Sequence, residues 1–99
     1  MITALLSKRG ETFYYKGSVI NTKDLDLQQR LNLLKEVYNL KLSNFASILN
    51  MSPQQFSYKM SHKLSVSEIS KISQFLNLNN DQIVNLFIRV WTEFLTTIL

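Results

Sequence analysis

Gln54 and Tyr58 stand four residues apart, with Gln55 and Ser57 between them and Lys59, Ser61, His62 and Lys63 following. On a helix, an amide and a phenol one turn apart share a face and can hydrogen-bond base edges. Hydroxyls can bond either bases or phosphates, and lysines hold phosphates. The start of this segment has its own signal. Ser52 is an N-cap, Pro53 takes the first helical position, and Gln55 stands third, completing a capping box. With Phe56 and Met60 turned inward over residues 53–60, Gln54, Tyr58 and Ser61 point outward. Gln55 and Ser57 then lie on the flanks, and Lys59 lies at the edge of the buried stripe.

Other chemistry finds little to work with. The only histidine, His62, has neither a cysteine nor a carboxylate motif beside it, and with no cysteine in the chain there is no thiolate or disulfide chemistry. Gly10 and Gly17 are the only glycines, so no phosphate-cradling loop is present. Asp24 and Asp26 are two residues apart and do not face one another on a helix. No metal-ligand spacing occurs. The chain is therefore expected not to be an enzyme and to need neither cofactor nor metal.

Ahead of the reading segment, residues 43–60 have the form of two short helices joined by a tight turn. Ala46 sits where the helices cross. Asn50 occupies the bend, because Asn tolerates the left-handed conformation a sharp turn requires. Phe56 anchors the second helix. Small residue, bend residue and buried residue at these offsets are the sequence form of a helix-turn-helix. Further helices are expected over 24–39, 43–49 and 53–60. Two more follow the capping boxes at Ser65 and Asn79, the last running to about residue 95. Residues 2–8 and 12–20, rich in Thr, Val, Ile, Phe and Tyr, read as a β-hairpin with Arg9-Gly10-Glu11 at its tip. The expected fold is mainly α: a compact five-helix bundle containing a helix-turn-helix, with an N-terminal β-hairpin. Residues 1–22 form the hairpin and 23–99 the helix-turn-helix domain with a C-terminal dimerisation helix, together one compact domain.

The chain has 99 residues and a net charge of +4, which favours an acidic partner. The charge is concentrated at two places. Lys8, Arg9, Lys16 and Lys23 face a single Glu11 over residues 1–23, and Lys41, Lys59, Lys63 and Lys71 face a single Glu68 over 41–71. Met1 to Leu6 is too short for a signal segment, and its cations follow it rather than precede it. Toward the C-terminus Asp81, Asn85, Arg89 and Glu93 recur every four residues as a polar stripe, so that helix is amphipathic and not membrane-spanning. A cytoplasmic protein with no membrane partner is expected.

On these residues, segment 33–86 resembles the lambda-repressor-like, Cro-type helix-turn-helix family of phage regulators. The run SPQQFSYKM, followed by a basic linker and SEISKISQFLNL, is similar to small phage regulators of Gram-positive hosts. Family members usually carry Gly where this chain has Asn50, and Gln near the start of the second helix where it has Ser43-Asn44. The resemblance implies a sequence-specific, double-stranded DNA-binding transcriptional regulator that binds its operator as a homodimer. The implied base contacts are Gln54, Tyr58, Ser57 and Gln55. The implied backbone contacts are Ser43, Asn44, Ser52, Lys59, Ser61, His62 and Lys63. Apolar residues cover more of the last helix than one core contact needs, which points to a dimer through Phe87, Val90, Trp91 and Phe94. Lys8 and Arg9 on a projecting tip form a second contact, to DNA backbone or to protein. They also sustain the alternative reading: a phage anti-defence protein, an anti-CRISPR-like inhibitor whose partner is a host nuclease.

Overall fold

The computed structural model describes residues 4–88, so the expected contacts Val90, Trp91 and Phe94 lie outside the described residues. The N-terminal part is a three-stranded antiparallel sheet rather than a hairpin. Its strands are β1 (Ala4–Leu6), β2 (Thr12–Tyr15) and β3 (Ser18–Asn21), in the order β1-β2-β3. The expected second strand folds back on itself at Lys16 and Gly17, whose φ angles of 49° and 85° are both positive. That mirror-image two-residue turn matches the right-handed twist of the strands it joins. Leu6, Phe13 and Ile20 line up across the three strands and face the core, with Phe13 fully buried.

The β1–β2 loop does not project. Its backbone docks on the C-terminal helix: Asn79 Nδ2 donates to the Lys8 carbonyl at 2.8 Å, Gln82 Nε2 to Ser7 at 3.1 Å and Asn85 Nδ2 to Arg9 at 2.7 Å. Asn85, expected on a solvent-facing stripe, is buried by this contact. Gly10 makes the close approach possible, since a Cβ added there would lie 2.8 Å from the Gln82 Cα. Gly10→Ala should therefore cost about 2–4 kcal/mol, combining a left-handed penalty with overpacking against backbone. Gly17→Ala meets nothing within 4 Å and should cost only the conformational part. Denaturant unfolding of both variants checks the order, and equal losses would mean the loop is not held against the helix.

A single 3-10 turn, Thr22–Asp24, leads into five helices: α1 (Leu27–Val37), α2 (Leu42–Ile48), α3 (Pro53–Met60), α4 (Val66–Leu76) and α5 (Asn80–Ile83). Helix α5 continues as a π-helical turn, Val84–Ile88. Reciprocal capping boxes start α1 at Asp26 and Gln29, α3 at Ser52 and Gln55, α4 at Ser65 and Glu68, and α5 at Asn79 and Gln82. Asn39, Asn50 and Asn77, all left-handed with φ of 54–58°, follow α1, α2 and α4. In each case the next N–H reaches back five residues, Leu40 to Lys35, Met51 to Ala46 and Leu78 to Ser73, which closes a Schellman motif.

The core is one cluster that α1 to α4 and the π turn share with Phe13. Phe87 belongs to it at 1% exposure, so it is not the surface dimer contact expected from the helical period. The π turn and the docked β1–β2 loop bury more of this segment than a regular amphipathic helix would bury. Arg30 is also buried at 1% exposure, with Nε donating to the Thr22 carbonyl at 3.0 Å and Nη1 to the Leu86 carbonyl at 3.0 Å. Among the described residues, no helix is long and apolar enough to cross a membrane.

Candidate nucleic-acid interface

Helices α2 and α3 meet at a bend of four residues, 49–52, and three contacts fix how they sit. Ala46 is fully buried and lets the backbones approach. Phe45 and Phe56, both 0% exposed, stack with ring centroids 5.7 Å apart and planes 12° from parallel. Asn50 supplies the left-handed residue, and its N–H donates to the Ser47 carbonyl at 3.0 Å. Phe45 did not stand out in the sequence, since an aromatic residue next to a small one in a short helix gives no sign of which helix it will meet.

With Phe56 and Met60 buried, α3 turns Gln54 and Tyr58 outward, and both are exposed. Among the described residues the Gln54 amide has no hydrogen-bond partner, so its oxygen and its nitrogen can both engage a ligand. Tyr58 is 64% exposed and does not lean on a neighbouring helix. Its ring stacks on His62 with centroids 4.0 Å apart, and His62 Nδ1 lies 2.8 Å from the Tyr58 carbonyl. A carbonyl only accepts, so Nδ1 carries the proton and donates, which leaves Nε2 as the outward nitrogen. The phenol is thus held on the outer face by a ring one turn along, and a lone His just past a helix end carries no sequence signal for such a stack.

The remaining expected contacts divide into free and committed groups. Ser52 Oγ accepts the Gln55 N–H at 3.1 Å while Gln55 Oε1 accepts the Ser52 N–H at 2.9 Å, so both side chains serve the cap. The Ser52 hydroxyl proton, the Gln55 amide nitrogen and the second lone pairs remain available there. Asn44 Oδ1 accepts the Lys41 N–H at 2.7 Å and starts α2 in the same way. Ser61 Oγ donates to the Ser57 carbonyl at 3.3 Å, and Ser57 itself is half-buried. Ser43 is exposed, and it lines an open depression with Ser47, Asn50, Ser52 and Gln55 where the bend brings α2 and the start of α3 together.

Charge is placed less simply than the sequence implied. Lys59 does not face outward with Tyr58. Its Nζ lies 3.4 Å from Glu68 Oε1, so it ties α3 to α4 and arrives at any phosphate already paired. Burial raises the Glu68 carboxyl, but hydrogen bonds from Ser65 and the Lys59 ammonium outweigh burial and hold it below its ordinary value. Lys63 is exposed just past the helix. His62 borders a cleft that also includes Lys23, Asp24, Asp26 and Met60, and its two carboxylates oppose an anion on that flank. On the far side of the molecule the Lys8 and Arg9 side chains are exposed, but Arg9 Nε turns to Glu11 at 3.4 Å and Asp81 at 4.0 Å.

Among the described residues no group of His, Asp and Glu is arranged to hold a metal. No family model matches the chain, and no curated protein or solved structure matches it either.

Proposed function

We propose that this chain is a sequence-specific double-stranded DNA-binding regulator that acts as a homodimer, with α2 and α3 working as a helix-turn-helix and α3 as its reading helix. One observation carries the reading. Gln54 and Tyr58 stand exposed one turn apart on the face of α3 opposite its buried anchor, and the Gln54 amide is uncommitted. An α-helix fits the major groove, and a glutamine amide pairs two-pronged with adenine there. The stacked Tyr58 supports the reading because its ring is ordered before binding, so less entropy is lost in placing it. Ser43, Ser52 and the Gln55 amide nitrogen, around the open depression at the bend, are the groups for the flanking phosphates, with Lys63 beyond the helix. The protein-inhibitor reading drew on a projecting basic tip; with that tip held against α5, the DNA reading is the one developed.

The test is selection from random duplexes followed by affinity measurement with Gln54→Ala. The wild-type chain should enrich a defined site. Gln54→Ala should lose roughly 1–3 kcal/mol of discrimination at one position, an A·T pair, and leave other positions unchanged. Its thermal stability should stay within about 0.5 kcal/mol of wild type, because the side chain is exposed. Enrichment of no sequence, or equal losses at every position, would remove α3 as a base reader.

A further inference from the structure

Among the described residues no strand pairs with the outer side of β3, an edge that the DNA reading does not use. A two-residue turn makes Tyr15 and Ser18 the closing hydrogen-bonded pair of the β2–β3 hairpin. Bonded and non-bonded pairs then alternate, so Phe13 with Ile20 is bonded and Tyr14 with Val19 is not. The Thr22 N–H donating to the Glu11 carbonyl at 2.9 Å continues the same phase. Val19 and Asn21 therefore turn their backbone N–H and C=O away from β2, on a strand that is outermost in the sheet, with the Asn21 C=O also capping the 3-10 turn Thr22–Asp24. Soluble proteins usually blunt such an edge with lysine, proline or a bulge. β3 reads Ser-Val-Ile-Asn and has none of these. Val19 is 70% exposed, and with exposed Leu5 and Tyr14 it forms a cross-strand row on the outer face of the sheet.

We propose that this edge is the docking surface for a second copy of the chain, with the two β3 strands antiparallel about a twofold axis at Ile20, joining both sheets into one. In that register Val19 pairs with the partner's Asn21, and Asn21 with the partner's Val19. The outward N–H and C=O of Val19 and the N–H of Asn21 then find complements, and the Asn21 C=O, which already caps the 3-10 turn, meets the partner's Val19 N–H with its second lone pair. A second copy fits better than an unrelated strand because an antiparallel edge is its own complement under a twofold axis. The strand is also uncharged, so two chains of net charge +4 meet where neither presents a cation. The charged residues flanking the strand, Lys16 before it and Lys23 and Asp24 after it, lie at the ends of the joint and not in the paired stretch. The proposal is independent of what α3 reads, so a chain that binds no DNA would leave it standing.

Sedimentation of the full chain tests it. Wild type should run at high micromolar concentration as a particle of twice 11.6 kDa. The double variant Val19→Lys/Asn21→Lys sets like charges directly opposite one another across the joint and should run at half that mass, as should Val19→Glu/Asn21→Glu. An equimolar mixture of the two variants should recover the dimer mass. Without any substitution, amide exchange at Val19 and Asn21 should slow as wild-type concentration rises, while that of solvent-facing loops does not change. A monomeric wild type, a Lys/Lys variant that stays dimeric, or exchange at these two amides that ignores concentration would each overturn the proposal.

Discussion

Arg30→Ala is expected to destabilise the fold by about 3–5 kcal/mol, the loss of a buried side chain together with its charged hydrogen bonds. Arg30 joins segments far apart in sequence: Nε binds the Thr22 carbonyl at 3.0 Å, and Nη1 binds the Leu86 carbonyl at 3.0 Å and the Asn85 carbonyl at 3.4 Å. The Asn85 and Leu86 carbonyls belong to the π turn, whose hydrogen-bond ladder departs from the α-helical one, so an outside donor matters there. Volume and hydrogen bonding can be separated. Arg30→Met fills most of the space but cannot donate, and the backbone carbonyls it leaves behind cannot be mutated away. It should still lose about 1–3 kcal/mol. Denaturant midpoints report both losses, and amide exchange over residues 84–88 should quicken in both variants. If Arg30→Met matched wild type, these hydrogen bonds would contribute nothing net and burial of the arginine would rest on packing alone.

Arg30 also marks where sequence reasoning stops. Position 30 lies three residues after Leu27 and four before Leu34, on the inward side of α1 by its period, yet a positive charge reads as a surface residue. Its partners, the Thr22 carbonyl on one side and the Asn85 and Leu86 carbonyls more than fifty residues along, explain why it is buried. The same holds for Asn79 and Asn85, whose side chains look like a cap and a solvent-facing stripe until the β1–β2 loop arrives to meet them. Features whose partners lie within five residues were legible: the capping boxes at Ser52, Ser65 and Asn79, and the left-handed Asn50. The Lys16-Gly17 turn was legible in principle, since a lone glycine in a β-rich run signals a reversal, but a continuous strand pattern hid it. At the candidate site the helical period placed Gln54, Tyr58, Phe56 and Met60 on their observed faces, because about two contiguous turns need only one phase. It also set Lys59 at the edge of the buried stripe, but not its partner Glu68, which lies in the next helix.

That shared phase makes Phe56 the control for the whole site assignment. Phe56 is 0% exposed, stacked on Phe45 at 5.7 Å, and set between α2 and α3 where nothing else can fill its volume. Phe56→Ala removes the ring and leaves a cavity that the bend at Asn50 and the crossing at Ala46 restrain from collapsing, so it should cost about 3–5 kcal/mol. For a domain of this size that is a large part of a total stability of roughly 5–15 kcal/mol. Phe56→Leu keeps apolar volume but loses the ring stack, and should cost less. DNA affinity of Phe56→Ala should fall in proportion to the unfolded fraction, equally for all sequences, and recover at temperatures low enough to refold it. Gln54→Ala, two residues away, should behave in the opposite way, with unchanged melting and a loss confined to one base pair. Thermal melts and base-by-base affinities on the two variants give a two-way comparison that a general loss of stability cannot imitate. Should Gln54→Ala unfold the chain while Phe56→Ala does not, α3 would be rotated relative to the core, and Gln54 and Tyr58 would no longer be its readers.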